Sequence, residues 1–286
     1  MSEVLQKAPA KINLFLKVNY KRPDGYHDIT TVFERINLFD DIILKDNVQN
    51  QNVIIACDCL EVPLDHKNIA FQAALLFKEK FNIKRGINIH ITKRIPVAAG
   101  LGGGSSDAAA TLLGLNKLWN LGLSIQDLLP LAEQLGSDVP FFLYDVPLAL
   151  GRQRGNKIEP LCFDKTLWHV LVASEVQLYS SRIYQGINLE LTRKSADAKI
   201  FISHLKSHNL DKIGQLLAND LEEVIFNFQP QLKSLKKRLK DLGSSGVMVS
   251  GSGPTVFGLI PTQKDAYNLM QNLAKRFKRV FLVKTY

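Results

Sequence analysis

Between Lys11 and Val18, apolar Ile12, Leu14, Leu16 and Val18 alternate with Lys11, Asn13, Phe15 and Lys17. A period of two is that of a half-buried strand, and it sets Lys11 and Asn13 on one face. The alternation breaks in "KRPDGYHD", where Pro23-Asp24-Gly25 reads as a turn, and resumes in "ITTVFERINL", "DDIILKD" and "NVIIACD", read as three further strands. The spacing becomes helical at about Asn68–Phe81 and returns to two in "GINIHITKRI". After a glycine-rich stretch, helices are expected at about Ser106–Trp119 and Ser124–Leu135. The second opens on a Ser124-x-x-Asp127 capping box, and Pro130 marks a kink or a later start. A hairpin over Pro147–Leu161 and the strand "WHVLVASEV" follow. Next come helices near Ala196–Ser207, Leu210–Phe226 and Pro230–Leu242, the last with Leu232, Leu235, Leu239 and Leu242 on one face. The chain closes on strand "GVMVS", turn "GSGPT", strand "VFGLI", a helix at about Gln263–Phe277 and strand "RVFLVK". Strands early, helices later and a final β-turn-β-α-β unit make an α+β plan in two domains, 1–160 and 161–286, with the boundary near 150–165.

Composition narrows the class. With 286 residues, 46% hydrophobic and 22% charged, the chain has an ordinary globular composition, which argues against disorder. No apolar run approaches the ~18 residues of a membrane span, and the alternating start is unlike a secretion signal, so a cytoplasmic protein is expected. Cys57, Cys59 and Cys162 fit neither a disulfide scaffold nor a zinc pair and are expected as buried thiols. The net charge of +9 sits in the C-terminal segment: from Pro230 onward there are eleven Lys and Arg against Asp241 and Asp265. Such a segment suits nucleic acid, a membrane surface or an anionic small molecule, or forms the solvated face of packed helices.

Three stretches carry candidate chemistry. "PVAAGLGGGSSDAAA", Pro96–Ala110, lies between a strand and a helix, where free N–H groups and the helix dipole favour a phosphate. The plainer alternative is a tight turn capped by Ser105, Ser106 or Asp107. It lacks the Lys of a Walker loop and the third glycine of a dinucleotide fingerprint. Ser250-Gly251-Ser252-Gly253-Pro254-Thr255 is either a hairpin turn or an anion nest. In Gly136-Ser137-Asp138-Val139-Pro140, Asp138 taken alone reads as a turn or cap residue.

Taken together, these motifs with "APAKINLFL" and "RPDGYH" resemble the GHMP kinase superfamily over essentially the whole chain. The resemblance implies a ribosomal-protein-S5-domain-2-like N-terminal domain, a ferredoxin-like C-terminal domain and a ligand cleft between them. The longer motif forms point to the branch that transfers the γ-phosphoryl group of ATP to the 2-hydroxyl of a methylerythritol carried on cytidine diphosphate, in non-mevalonate isoprenoid synthesis. It implies ATP against Pro96, Val97, Ala98, Ala99, Gly100, Leu101, Gly102, Gly103, Gly104, Ser105 and Ser106, with Ser106 near Mg²⁺. Asp138 is implied as general base and Lys11 as its partner at the acceptor hydroxyl, beside Asn13. Tyr26 and His27 match the positions that bind the cytidine, and Tyr184, with Ser180 as polar neighbour, aligns loosely with a second stacking aromatic. Partners follow: a small cytidine diphosphate substrate, no nucleic acid, no membrane, and a monomer or weak homodimer. A sibling kinase for mevalonate, phosphomevalonate or homoserine would share the loop without needing a nucleobase site at Tyr26 and His27. An RNA-binding module would use the basic tail but leave the three motifs idle.

Overall fold

The computed structural model describes residues 2–189 and 197–286. Backbone contacts divide the chain into two compact units that interleave along it: Met1–Ala10, Leu38–Val97 and Gly102–Asp145 form one, and Lys11–Asn37, Ala98–Leu101 and Val146–Tyr286 the other. Two long strands, β1 (Glu3–Lys21) and β2 (His27–Asn47), run through both. The two strands expected across residues 29–46 are thus one. Where the second of them is expected to begin, Asp40 is fully buried and accepts hydrogen bonds from the N–H groups of Arg94 (2.6 Å) and Ile95 (2.8 Å).

In the first unit β3 (Val53–Cys57) lies parallel to β4 (Gly86–Thr92), which pairs antiparallel with Asp41–Asn47 of β2. Helices α1 (Ile69–Lys80), α2 (Gly103–Leu118), α3 (Ile125–Leu135) and α4 (Val139–Leu143) pack on one another through Ala70, Ala73, Phe77, Ala108, Leu112 and Phe141. Small residues let α2 approach closely: a Cβ on Gly114 would overlap Leu44. The capping box of α3 is present, Ser124 and Asp127 bonding reciprocally, and Pro130 lies within the helix. Cys57 and Cys59 are half-buried and Cys162 is exposed, not the buried thiols expected, and all three are free.

In the second unit Ile29–Glu34 of β2 pairs antiparallel with β5 (Leu148–Gln153), which forms a hairpin with β6 (Lys157–Leu161). A four-stranded antiparallel sheet has the order β11-β7-β10-β9, with β7 at Trp168–Ala173, β9 at Gly246–Val249, β10 at Thr255–Ile260 and β11 at Val280–Lys284. A helix the sequence reading did not expect, α5 (Ser180–Gln185), comes first, and the expected helices then map onto α6 (Ala198–Lys206), the pair α7 (Leu210–Leu216) and α8 (Glu222–Phe228), α9 (Pro230–Asp241) and α10 (Gln263–Ala274). Ala196, the expected start of one helix, lies outside the described residues. Val172, Val249, Val256 and Ile260 from one face of the sheet form a core with Leu232, Leu235 and Leu239 of α9 and Leu269 and Leu273 of α10. Leu242, expected on that apolar face, is instead 40% exposed.

The helix expected over 210–226 is broken between α7 and α8 by a two-residue strand, β8 (Ala218–Asn219), parallel to Phe15 and Leu16 of β1. The buried Asn219 amide donates to the carbonyls of Val249 (2.9 Å) and Gly251 (2.7 Å) and accepts from the N–H of Leu221 (3.0 Å). A helical backbone there would leave those groups without partners.

Candidate active site

In the second unit Lys11 and Asn13 lie on one face of β1, but the strand is not the half-buried one expected: both of its faces are buried from Lys11 to Leu16, with Lys11 and Asn13 4% and 2% exposed. Lys11 Nζ donates to Asn13 Oδ1 at 2.8 Å, Asn13 Nδ2 to Thr31 Oγ1 at 2.8 Å, and Thr31 Oγ1 to the Phe15 carbonyl at 2.7 Å. This chain of bonds fixes the direction of the ammonium. Behind it stands the glycine turn after β9. Asn13 N–H donates to Ser250 Oγ (3.4 Å), which donates to the Gly100 carbonyl (3.0 Å). A Cβ on Gly251 would stand 3.0 Å from Asn13 Oδ1 and 3.4 Å from Lys11 Nζ.

Ala98–Leu101, the first half of the glycine loop, is pinned in this same unit. Lys11 N–H donates to the Leu101 carbonyl (2.9 Å) and Thr255 N–H to that of Ala99 (3.3 Å). The loop's second half opens α2 in the first unit. Its N-cap is Gly102 in the left-handed region (φ 69°), so Ser105, Ser106 and Asp107 lie in the helix and cap nothing, contrary to the tight-turn alternative. The first bond of the turn runs from Ser106 N–H to the Gly102 carbonyl at 2.9 Å, and the N–H groups of Gly103, Gly104 and Ser105, ahead of it, belong to the donors a helix leaves for an anion.

Beneath that turn lies a buried ionic cluster that sequence reasoning missed. Lys93 Nζ lies 2.5 Å from Asp40 Oδ2 and 2.6 Å from Asp107 Oδ2, all three nearly inaccessible. Burial, with the Asp40 charge adding to it and Lys93 opposing it, lifts the Asp107 carboxyl to about 8. Burial lowers Lys93, but the two carboxylates outweigh it and hold the ammonium above its ordinary value. The one clue in the sequence is a Lys placed just ahead of the loop, in "TKRIP".

Ser106 Oγ and Asp107 Oδ1 are buried and have no hydrogen-bond partner among the described residues. Both are hard oxygens of the kind Mg²⁺ takes, so the residues present fit such an ion. Among the described residues no group of three His, Cys, Asp or Glu is arranged to hold a metal, so most ligands would come from phosphate and water. Asp138 occupies the N-cap of α4 in the first unit, and its side chain makes no capping bond.

The candidate nucleobase residues gather in the second unit. The turn before Tyr26 is closed by a bond from Arg22 N–H to the Tyr26 carbonyl (2.8 Å) and by the Arg22–Asp24 ion pair (2.9 Å). Tyr26 is 54% exposed, with the Arg154 guanidinium 4.7 Å from its ring centroid, a neighbour absent from the sequence reading. The ring of His27 stacks on that of Tyr184, centroids 5.5 Å apart and planes 25° from parallel, so the loosely aligned tyrosine lies against one of the two candidate cytidine residues. Burial, then the charge of Lys21, holds His27 below the usual imidazole range, so at neutral pH one ring nitrogen donates and the other accepts. Ser180 Oγ lies 2.7 Å from Ser252 Oγ, tying α5 to the glycine turn.

Residues 68–145 match the GHMP kinases N terminal domain and residues 201–279 the GHMP kinases C terminal family, which sets the class. The 4-diphosphocytidyl-2-C-methyl-D-erythritol kinase of Bacillus velezensis is 41% identical over 281 residues, 98% of this chain and 96% of its own length. The Bacillus subtilis protein of the same name is 40% identical over 281 residues, again 98% and 96%. A crystal structure of 4-(cytidine 5'-diphospho)-2C-methyl-D-erythritol kinase superposes with a TM-score of 0.85 at 31% identity, covering 98% of both chains. The chain belongs to the 4-diphosphocytidyl-2-C-methyl-D-erythritol kinase family of GHMP kinases. Among the described residues no helix is long and apolar enough to cross a membrane.

Proposed function

We infer that the chain is a small-molecule kinase that uses ATP to phosphorylate the 2-hydroxyl of 4-diphosphocytidyl-2-C-methyl-D-erythritol, giving the 2-phosphate and ADP, in the non-mevalonate isoprenoid pathway. The observation that carries the choice of acceptor over a sibling kinase is the stacked His27–Tyr184 pair in the unit that also holds Tyr26. A planar aromatic platform with an uncharged imidazole is what a cytosine requires: a face to stack on and an edge that both donates and accepts.

In this reading Pro96–Ser106 cradles the ATP phosphates, the backbone N–H groups at the start of α2 supplying donors and the dipole a partial positive charge. Ser106, together with the phosphates, would hold Mg²⁺, which would supply neutralisation of the charge that develops on phosphate oxygens. Asp138 accepts the proton of the acceptor hydroxyl. Lys11, held by Asn13, orients that hydroxyl and stabilises negative charge as the bond to phosphorus forms. Tyr26, His27, Tyr184 and Ser180 hold the cytidine end. The domains are drawn at 1–160 and 161–286. The protein works in the cytoplasm, where ATP is supplied, as a monomer or weak homodimer on a small molecule and without nucleic acid or membrane.

The test is ADP release with 4-diphosphocytidyl-2-C-methyl-D-erythritol, mevalonate and homoserine as acceptors. Turnover with the first alone is expected, and turnover only with another overturns the reading. Asp138→Asn is expected to lower kcat by about 10²–10⁴ while leaving ATP affinity intact; full activity removes Asp138 from the base role.

A further inference from the structure

The basic C-terminal segment has no part in the reading above, yet its charges converge. In the second unit a groove of about 890 Å³ is bounded by α9, by Val172–Val176 at the end of β7, and by Arg276–Arg279 between α10 and β11. Small-molecule sites run to roughly 300–1,000 Å³, so the space suits one ligand. Five cationic side chains, Lys237, Arg238, Arg276, Lys278 and Arg279, stand against two carboxylates, Glu175 and Asp241. Lys278 is 3.5 Å from Glu175. Arg238 Nε is buried without a hydrogen-bond partner among the described residues. Beside these cations the groove presents Val176, Phe277 and Leu242, the leucine that the helical pattern assigns to the core and the structure leaves exposed.

Packing alone gives no reason to concentrate like charges around an apolar wall, since they repel one another and lower the stability of the folded state. A ligand that is anionic at one end and apolar at the other resolves both. Guanidinium forks match phosphate oxygens two at a time, and Lys237 adds a point charge. The concave, partly apolar shape favours a small molecule over a polynucleotide, which would need an extended cationic track.

We propose that this groove is a second ligand site and binds an alkyl diphosphate, its phosphates among Lys237, Arg238 and Arg276 and its hydrocarbon chain on Phe277, Val176 and Leu242. The groove shares no residue with the glycine loop, with Lys11 and Asp138, or with the tyrosine and histidine platform. The proposal therefore stands or falls apart from the kinase assignment.

Titration calorimetry on the full chain with 3-methylbutyl diphosphate tests it, against inorganic pyrophosphate and with the double variant Lys237→Ala, Arg276→Ala. Both substituted residues are exposed, and an unchanged ADP-release rate reports that the variant is folded. The expected result is saturable binding, at least tenfold weaker for pyrophosphate and at least tenfold weaker in the double variant, with no displacement by a non-hydrolysable ATP analogue. The proposal is overturned by undiminished binding in the double variant, by displacement with the ATP analogue, or by equal affinity for pyrophosphate. Absence of binding at millimolar ligand, or capture of an RNA oligonucleotide by the same residues in place of the alkyl diphosphate, overturns it as well.

Discussion

Gly100→Ala tests whether the glycine loop is held by the turn after β9 or merely lies near it. Gly100 has φ 75°, a conformation that costs an L-residue about 1–2 kcal/mol. Its missing Cβ would stand 2.6 Å from the Ser250 carbonyl oxygen and 2.7 Å from that of Gly253. Both are backbone atoms, so no rotamer change relieves the overlap, and forcing such a contact costs a further ~1–3 kcal/mol. The expected loss is about 2–5 kcal/mol. Gly243→Ala is the matched control in the same unit: φ is 94° and nothing lies within 4 Å of the added carbon, so only about 1–2 kcal/mol is expected. Urea unfolding followed by tryptophan fluorescence, Trp168 lying in this unit, gives both values. The apparent KM for ATP should rise in Gly100→Ala and not in Gly243→Ala. Equal destabilisation by the two substitutions would refute the contact argument, and an unchanged KM for ATP would separate the loop from the phosphates.

Four further outcomes are expected. Lys93→Met leaves Asp40 and Asp107 buried without their cation and should cost about 3–5 kcal/mol in denaturant unfolding; a loss under 1 kcal/mol contradicts the cluster. The Asp107 carboxyl titrates near 8 when folded and near ~4 when unfolded, so between those values the folded state holds the extra proton. Stability then falls as pH rises through that window, by at most ~1.4 kcal/mol per pH unit. Asp107→Asn should flatten this dependence, and superimposable profiles would rule the assignment out. Asn219→Ala strips two buried carbonyls and one N–H of partners and should destabilise by about 2–4 kcal/mol, measured by thermal melting. Tyr184→Ala removes a stacking face worth about 1–3 kcal/mol, which is a rise of roughly 5- to 150-fold in KM for the cytidine substrate. Little change in KM would mean the ring only packs on His27.

Periodicity revealed the elements whose partners are local. Alternation placed Lys11 and Asn13 on one face, and the leucines at 232, 235 and 239 met the core as their spacing predicted. What escaped depends on residues far along the chain. Nothing near Asp40 in the sequence announces its partners, the N–H groups of Arg94 and Ile95, and Asn219 looks helical until Val249 and Gly251 are seen beside it. Glycine's low helix propensity moved the expected start of α2 to Ser106, whereas Gly102 takes the left-handed cap and Gly103 begins the helix. In the candidate site the motif residues could be named from sequence, but the bonds that orient them could not. Thr31 behind Asn13, Lys93 under the loop and Arg154 over Tyr26 carry no motif, and their roles come from distance alone.

The interleaving of the two units has a consequence for how the protein is made. Lys11–Asn37 belongs with residues that leave the ribosome much later: Phe15 and Leu16 pair with Ala218 and Asn219, and the buried Glu34 meets His169 at 2.9 Å. At about 5–20 residues per second, the ~200 residues separating Leu16 from Asn219 take on the order of 10–40 s to synthesise. For that time Phe15 and Leu16 wait without their partners on β8, at a strand edge of the kind through which chains associate. Completion of the second unit therefore waits for residues beyond 160, and a chain cut there would keep β1 and β2 while losing β8 and His169, the partners of Leu16 and Glu34.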